Sequence, residues 1–262
     1  MYIHMMETKL VQKFGNSSHV VLPKEYIGRR IRFIAEPKTF KDIKSQIIDI
    51  LKPYLGNIVG VYLYGSYARN EQTIDSDIDI LVITSSRLKI IENINDYHIV
   101  STTINSIENT LRNDAILILP IIKEAKTIIN PDFLDSYKNY KFIKSNTKTF
   151  LDNTEKILLL NKRGIKLGFE IGSLIYSLML RIRGLLMIKL MMGNKLYSKE
   201  SLFSYLENNR IQKNKILEIY RVYTNEKNNI HVKESEVIAK ADIEKLLAIA
   251  QELLKDIKLV LK

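Results

Sequence analysis

The sequence predicts an α/β (α+β) core with a small mixed sheet, preceded by a small β-rich unit and followed by an all-α helical bundle. Three observations carry this reading. Residues 1–38 show short β-type runs separated by turn clusters. Residues 39–131 alternate helical and strand patterns. Residues 132–262 repeat apolar positions at three- and four-residue spacing throughout.

In the first unit, TKLVQKF alternates β-type residues, FGNSS is a turn cluster, and HVVLP is a second short strand. PKEYIG reads as one helical turn, with Pro23 at its start and Gly28 after its end, and RRIRFI as a third strand. So few residues cannot bury an adequate core, so the unit is expected to pair with a second copy as a homodimer. Glu36-Pro37-Lys38 marks the boundary.

In the second unit, Phe40, Ile43, Ile47, Ile50, Leu51 and Tyr54 form one helical face. Thr39 is its N-cap, and Pro53 and Gly56 end it. IVGVYLYG is a buried strand, SYARNEQT a short helix or loop, IDSDIDILVIT a second strand and YHIVSTTI a third. LILPIIKEAKTIIN supplies a helix and a short strand.

The third unit predicts helices near 146–163, 167–192, 199–208, 211–226 and 240–261. Gly193-Asn194 stops the long helix and Ser198 caps the next. The greasiest stretch, 171–192, contains Arg181, Arg183 and Lys189. Central cations cost roughly 2.5–3.5 kcal/mol each on insertion scales, so this helix is expected to be buried in protein, not in a membrane. Arg181 and Arg183 are expected to snorkel or pair with buried acids, with a nucleotide cleft as the other destination.

Composition narrows the class. The chain has 262 residues, 46% hydrophobic and 26% charged, which is ordinary for a core-forming protein. It has no cysteine, which excludes a disulfide framework and cysteine-ligated metal. The start, MYIHMMETKLVQKFG, lacks the apolar run of a signal peptide, so a cytoplasmic location is expected. A formal charge of +11 favours polyanions, although lysine- and isoleucine-rich usage also follows from an A·T-rich genome.

The chemistry concentrates in GSYARNEQTIDSDIDILV. Asp77 and Asp79 alternate along a strand and so share a face, about 7 Å apart, while Ile78, Ile80 and Val82 take the other. Carboxylates so close repel, and a hard divalent cation is the usual remedy. Mg²⁺ suits one or two carboxylates plus substrate phosphates. Upstream, Gly65 lets a phosphate approach the backbone, the Ser66 hydroxyl can donate to it, and Arg69 one turn later can pair with a phosphate oxygen.

Gly65-Ser66, ten residues, then Asp77-Ile78-Asp79 resembles the signature of the DNA polymerase β-like nucleotidyltransferases, and most closely the minimal nucleotidyltransferases. The resemblance implies transfer of a nucleoside monophosphate, AMP from ATP or another NTP, to an acceptor hydroxyl. Asp77 and Asp79 would hold two metal ions, and Gly65 and Ser66 the triphosphate. Active members carry a third carboxylate on the following strand, where this sequence has His98. Asp96, Glu108 and Asp114 are nearby acids, and Asp75 is a further helper candidate.

KLVQKFGNSSHVVLPKEYIGRRIRFI resembles the swapped-hairpin DNA-binding domains of the AbrB type, which interlock as dimers. Residues 1–38 carry seven Lys/Arg (Lys9, Lys13, Lys24, Arg29, Arg30, Arg32 and Lys38) against three Glu (Glu7, Glu25 and Glu36). Lys9, Lys13, Asn16, Arg29, Arg30 and Arg32 are the candidate DNA contacts. The helical part resembles HEPN-type bundles, although His231 with Arg221 or Lys227 departs from their Arg-x(4–6)-His motif, so no ribonuclease activity is assigned.

Together these resemblances imply a toxin–antitoxin or regulatory transferase with a protein acceptor. A catalytically impaired, nucleotide-sensing DNA-binding regulator is the alternative. A small-molecule transferase akin to the aminoglycoside-modifying enzymes is a third reading, against which the DNA-binding start argues.

Overall fold

The computed structural model describes residues 8–33, 36–73, 76–230 and 238–261. The chain divides into two compact units, Met1–Glu36 and Pro37–Lys262.

In the first unit, β1 (Gln12–Phe14) and β2 (Ser17–His19) form an antiparallel hairpin, with Gln12 opposite His19 and Phe14 opposite Ser17. Gly15 makes the turn at φ 56°, and the Phe14 and His19 rings meet edge to face at 5.3 Å. A single 3₁₀ turn covers Lys24–Tyr26 after Pro23. The strands are shorter than expected: residues 10–11 and 20–22 lie outside them, and 29–33 form no strand. Two strands with nothing to pack on cannot extend their pairing. Among the described residues of this unit none is buried, and Leu10, Ile27 and Phe33 are 86%, 76% and 87% exposed.

The second unit opens with α1 (Phe40–Leu51). The Thr39 hydroxyl accepts the Asp42 N–H while the Asp42 carboxylate accepts the Thr39 N–H, a complete capping box. Ile43, Ile47 and Leu51 are buried along one side. Then follow β3 (Ile58–Tyr64), α2 (Gly65–Arg69), β4 (Ile78–Thr84), β5 (Asn93–Ile94), β6 (Tyr97–Thr103), α3 (Ile104–Asn113), α4 (Leu119–Glu124), β7 (Lys126–Ile129) and α5 (Pro131–Asp135). The sheet order is β5-β6-β4-β3-β7. It is mixed: β4 and β6 run parallel and the other pairs antiparallel.

The helical part contains α6 (Lys144–Leu167), α7 (Ile171–Met192), α8 (Lys199–Asn208), α9 (Lys213–Lys227) and α10 (Lys240–Val260). The Ser198 hydroxyl accepts the Ser201 N–H at the start of α8. The sequence reading missed α3, whose polar residues dilute the pattern. It is anchored by buried Ile107 and Leu111 and capped by Thr103.

The sheet is covered on both faces. Val61, Leu63, Ile78, Ile80 and Val82 pack on α1, while Tyr62, Leu81 and Ile83 join one core with α3, α6, α7, α9 and α10. The expected division put Asp77 and Asp79 on one face and Ile78, Ile80 and Val82 on the other, and burial extends to both faces. Leu81 and Ile83 follow Asp79 on its face and are fully buried, so acid occupies only the strand's leading end. Asp77 precedes the first residue of β4.

Among the described residues α7 is the one helix long and apolar enough to cross a membrane. Its Ile175, Leu178, Ile182, Leu185 and Ile188 are buried within the protein.

Candidate active site

The site begins where β3 runs out. Gly65 turns the chain into α2 with φ 74°, a conformation side chains resist. Register places Tyr64 opposite Asp79 across β3 and β4. A β-carbon added to Gly65 would lie 2.2 Å from Asp79 Oδ2. Two independent constraints therefore demand glycine at this position. Ser66 follows, half-buried, in the first turn of α2.

On its other side Asp79 meets β6. The parallel register pairs Asp79 with His98, and His98 Nδ1 lies 3.3 Å from Asp79 Oδ1. Asp77, Asp79, Asn93, Asn95, Asp96, Tyr97, His98 and Lys227 line one cleft of about 310 Å³. Burial raises the Asp79 pKa above the usual carboxylate value, His98 and Lys227 pull it back, and Asp77 pushes it up again. Lys227 arrives from the last turn of α9, where the helix dipole favours a cation.

His98 thus stands at the position expected of a third carboxylate. Asp96 lines the same cleft but is held by Lys38 at 2.8 Å, which also donates to Gln46. Glu108 pairs with Arg112 at 3.3 Å and accepts the Tyr137 hydroxyl, and Asp114 follows α3; neither lines the cleft. Asp75 and His231 lie outside the described residues. Among the described residues no three His, Asp or Glu side chains converge as a metal-holding group. Two oxygen-donor carboxylates in one polar cleft do suit a cation that takes its remaining ligands from water and phosphate.

Sequence reasoning missed Glu124. Its Oε1 accepts the Gly65 N–H at 2.9 Å and its Oε2 accepts Arg69 at 2.7 Å. Arg69 also donates to Glu71 at 2.8 Å, so the side chain expected to meet phosphate is here spanned by two carboxylates. Glu71 in turn accepts the Lys199 N–H at the start of α8, at 2.6 Å. Glu124 is 59 residues from Gly65, and no local spacing marks it.

The arginines of α7 also find partners other than those expected. Arg183 donates to the Tyr223 hydroxyl and stacks over the Tyr197 and Tyr223 rings, and Arg69 also lies over the Tyr197 ring, 5.9 Å from its centroid. Arg181 lies over Phe150. Aromatic faces, not acids, compensate these half-buried cations. In the first unit Lys9, Lys13, Asn16, Arg29, Arg30 and Arg32 are all exposed.

Comparison with known proteins bears on the same region. Residues 45–134 match the family model "Polymerase beta, Nucleotidyltransferase". The matched stretch contains β3 to β7 and with them the Gly65 bend, Asp77 and Asp79. A 45-residue stretch is 51% identical to spectinomycin 9-adenylyltransferase of Campylobacter jejuni. That alignment spans 17% of this chain and 17% of that relative. Among solved structures, a spectinomycin adenyltransferase from Enterococcus faecialis with ATP and spectinomycin aligns at 19% identity and TM-score 0.47. The alignment covers 82% of this chain and 100% of that one. A nucleotidyltransferase-like protein from Exiguobacterium sibiricum aligns at 14% identity and TM-score 0.35, over 82% of this chain and 75% of that one.

Proposed function

We propose that the protein transfers AMP from ATP to an acceptor hydroxyl in a reaction that depends on a divalent cation. The observation that carries this reading is the packing of Asp79 directly against the Gly65 bend, with Asp77 in the same cleft.

Asp77 and Asp79 would hold Mg²⁺, which when bound neutralises the triphosphate and the charge on attacking and leaving oxygens. Gly65 leaves room for the phosphates beside the backbone, and Ser66 offers a hydroxyl donor. Glu124 and Glu71 hold Arg69 and so fix the shape of α2 behind the bend. The acceptor oxygen forms a bond to the α-phosphorus, the bond to pyrophosphate breaks, and the acceptor proton passes to solvent.

The acceptor we favour is a small hydroxylated compound bearing ammonium groups, of the aminocyclitol kind. Asp96, Asn93 and Asn95 line the cleft beside the two carboxylates assigned to the cation and give it hydrogen-bonding capacity for such a compound. The name of the curated relative points the same way. Incubation with Mg²⁺, labelled ATP and spectinomycin or a related aminocyclitol tests this, beside an Asp77→Ala, Asp79→Ala control. Label on the small molecule with wild type alone is expected. Label found only on a protein from a cell extract would remove the aminocyclitol reading, and tight ATP binding without transfer to anything would remove the enzyme.

A second reading rests on the first unit, where none of the described residues is buried and Leu10, Ile27 and Phe33 stand exposed. It would pair as a swapped-hairpin homodimer and bind DNA through Lys9, Lys13, Asn16, Arg29, Arg30 and Arg32. The transferase would then act in a regulatory or toxin–antitoxin setting on a protein acceptor. Affinity for its own promoter DNA that falls steeply with salt would support it.

A further inference from the structure

The geometry points to His98 Nδ1 as a metal ligand beside Asp79, which tunes the cleft toward a first-row divalent ion such as Mn²⁺ ahead of Mg²⁺. This rests on the reading of Asp79 as a cation-holding carboxylate.

Residues paired across neighbouring strands project from the same face, so Asp79 and His98 are side by side by register and not by loop conformation. His98 is also paired with Asn93 on β5, so its backbone is fixed from both sides. Along β6, Tyr97 and Ile99 are buried and His98 is exposed, which turns the imidazole into the cleft. Its separation from Asp79, 3.3 Å, is long for a nitrogen–oxygen hydrogen bond. Two cis ligands around an ion with bonds of about 2.0–2.2 Å lie about 3 Å apart. The two donors therefore already stand close to a chelating spacing, and a cation can enter with little rearrangement. Water and phosphate oxygens complete the set.

The nitrogen matters because Mg²⁺ is hard and takes oxygen ligands, whereas imidazole is a ligand for first-row transition ions. A carboxylate in this place would keep the site for Mg²⁺. The histidine moves the preference without abolishing the site.

The test uses the full-length protein with Mn²⁺ and inorganic tripolyphosphate, which contains no nitrogen. Electron spin-echo envelope modulation should show ¹⁴N coupling to bound Mn²⁺ in wild type and none in His98→Asp. Supporting partners of metal ligands alone are worth about 10–100-fold in affinity. The Mn²⁺-over-Mg²⁺ preference, from competition titration, should accordingly fall by about tenfold or more in His98→Asp. Mn²⁺ binding that Asp79→Asn weakens, but with no ¹⁴N coupling in wild type, overturns the inference and leaves the proposed function standing. Mn²⁺ binding indifferent to Asp79→Asn overturns both.

Discussion

Glu124 accepts the backbone N–H of Gly65 at 2.9 Å with one carboxylate oxygen and holds Arg69 at 2.7 Å with the other. A single buried side chain thus ties the bend that follows β3 to the helix behind it. Glu71 extends the tie to the first N–H of α8. The bend and the helical part of the second unit are mechanically connected through three charged residues.

Removal of Glu124 leaves Arg69 half-compensated and the Gly65 N–H without its acceptor. Glu124→Ala should lower stability by about 2 kcal/mol or more, given side-chain exposures of 9% for Glu124 and 16% for Arg69. Urea denaturation measures this, and a midpoint equal to wild type would contradict the role assigned to the tie.

Gly65→Ala meets two obstacles, a positive φ and the Asp79 carboxylate 2.2 Å from the new β-carbon. The left-handed backbone alone costs about 1–2 kcal/mol. Displacement of Asp79 should in addition abolish nucleotidyl transfer and the thermal stabilisation by cation with nucleotide. For wild type that stabilisation is about 2.7 kcal/mol at a hundred times Kd. A Gly65→Ala protein with wild-type transfer would remove Asp79 and Gly65 from the centre of the site.

Asp114 predicts a pH effect away from the cleft. Burial raises its pKa above 3.8, and its Oδ1 has no hydrogen-bond partner among the described residues. Between the unfolded and the raised folded value the native state binds more protons, so stability falls as pH rises through that window. Asp114→Asn should therefore melt above wild type at neutral pH, with the difference shrinking toward zero as pH drops below 3.8. Thermal melts across acid pH check the sign; a variant less stable than wild type at neutral pH would refute it.

The capping box at α1 is testable on its own. Thr39→Ala removes the hydroxyl that accepts the Asp42 N–H and should cost about 1 kcal/mol. Thermal unfolding should drop accordingly, and an unchanged melting temperature would contradict the cap.

Local patterns carried much of the fold. The apolar spacing of Phe40–Leu51 with its threonine cap and the helix Lys199–Asn208 behind Ser198 were legible because each rests on contacts within a few residues, whereas the segment after Gly65 read equally as helix or loop. The Gly65-Ser66 and Asp77-Asp79 spacing was legible for the same reason, since a strand, a turn and a second strand position them. The burial of Leu81 and Ile83 was not legible, because that face of the strand is covered by helices far along the chain. The partners of Arg69, Arg183 and Asp79 also waited on tertiary structure. Glu124, Tyr223 and His98 reach them across 55, 40 and 19 residues, and only packing of the sheet and helices sets such distances. The sequence by itself singled out Gly65, Ser66, Asp77 and Asp79 as candidates, because local spacing around a strand, a turn and a second strand fixes them. Register between β4 and β6 decided that a histidine nitrogen, not a third carboxylate, stands beside Asp79.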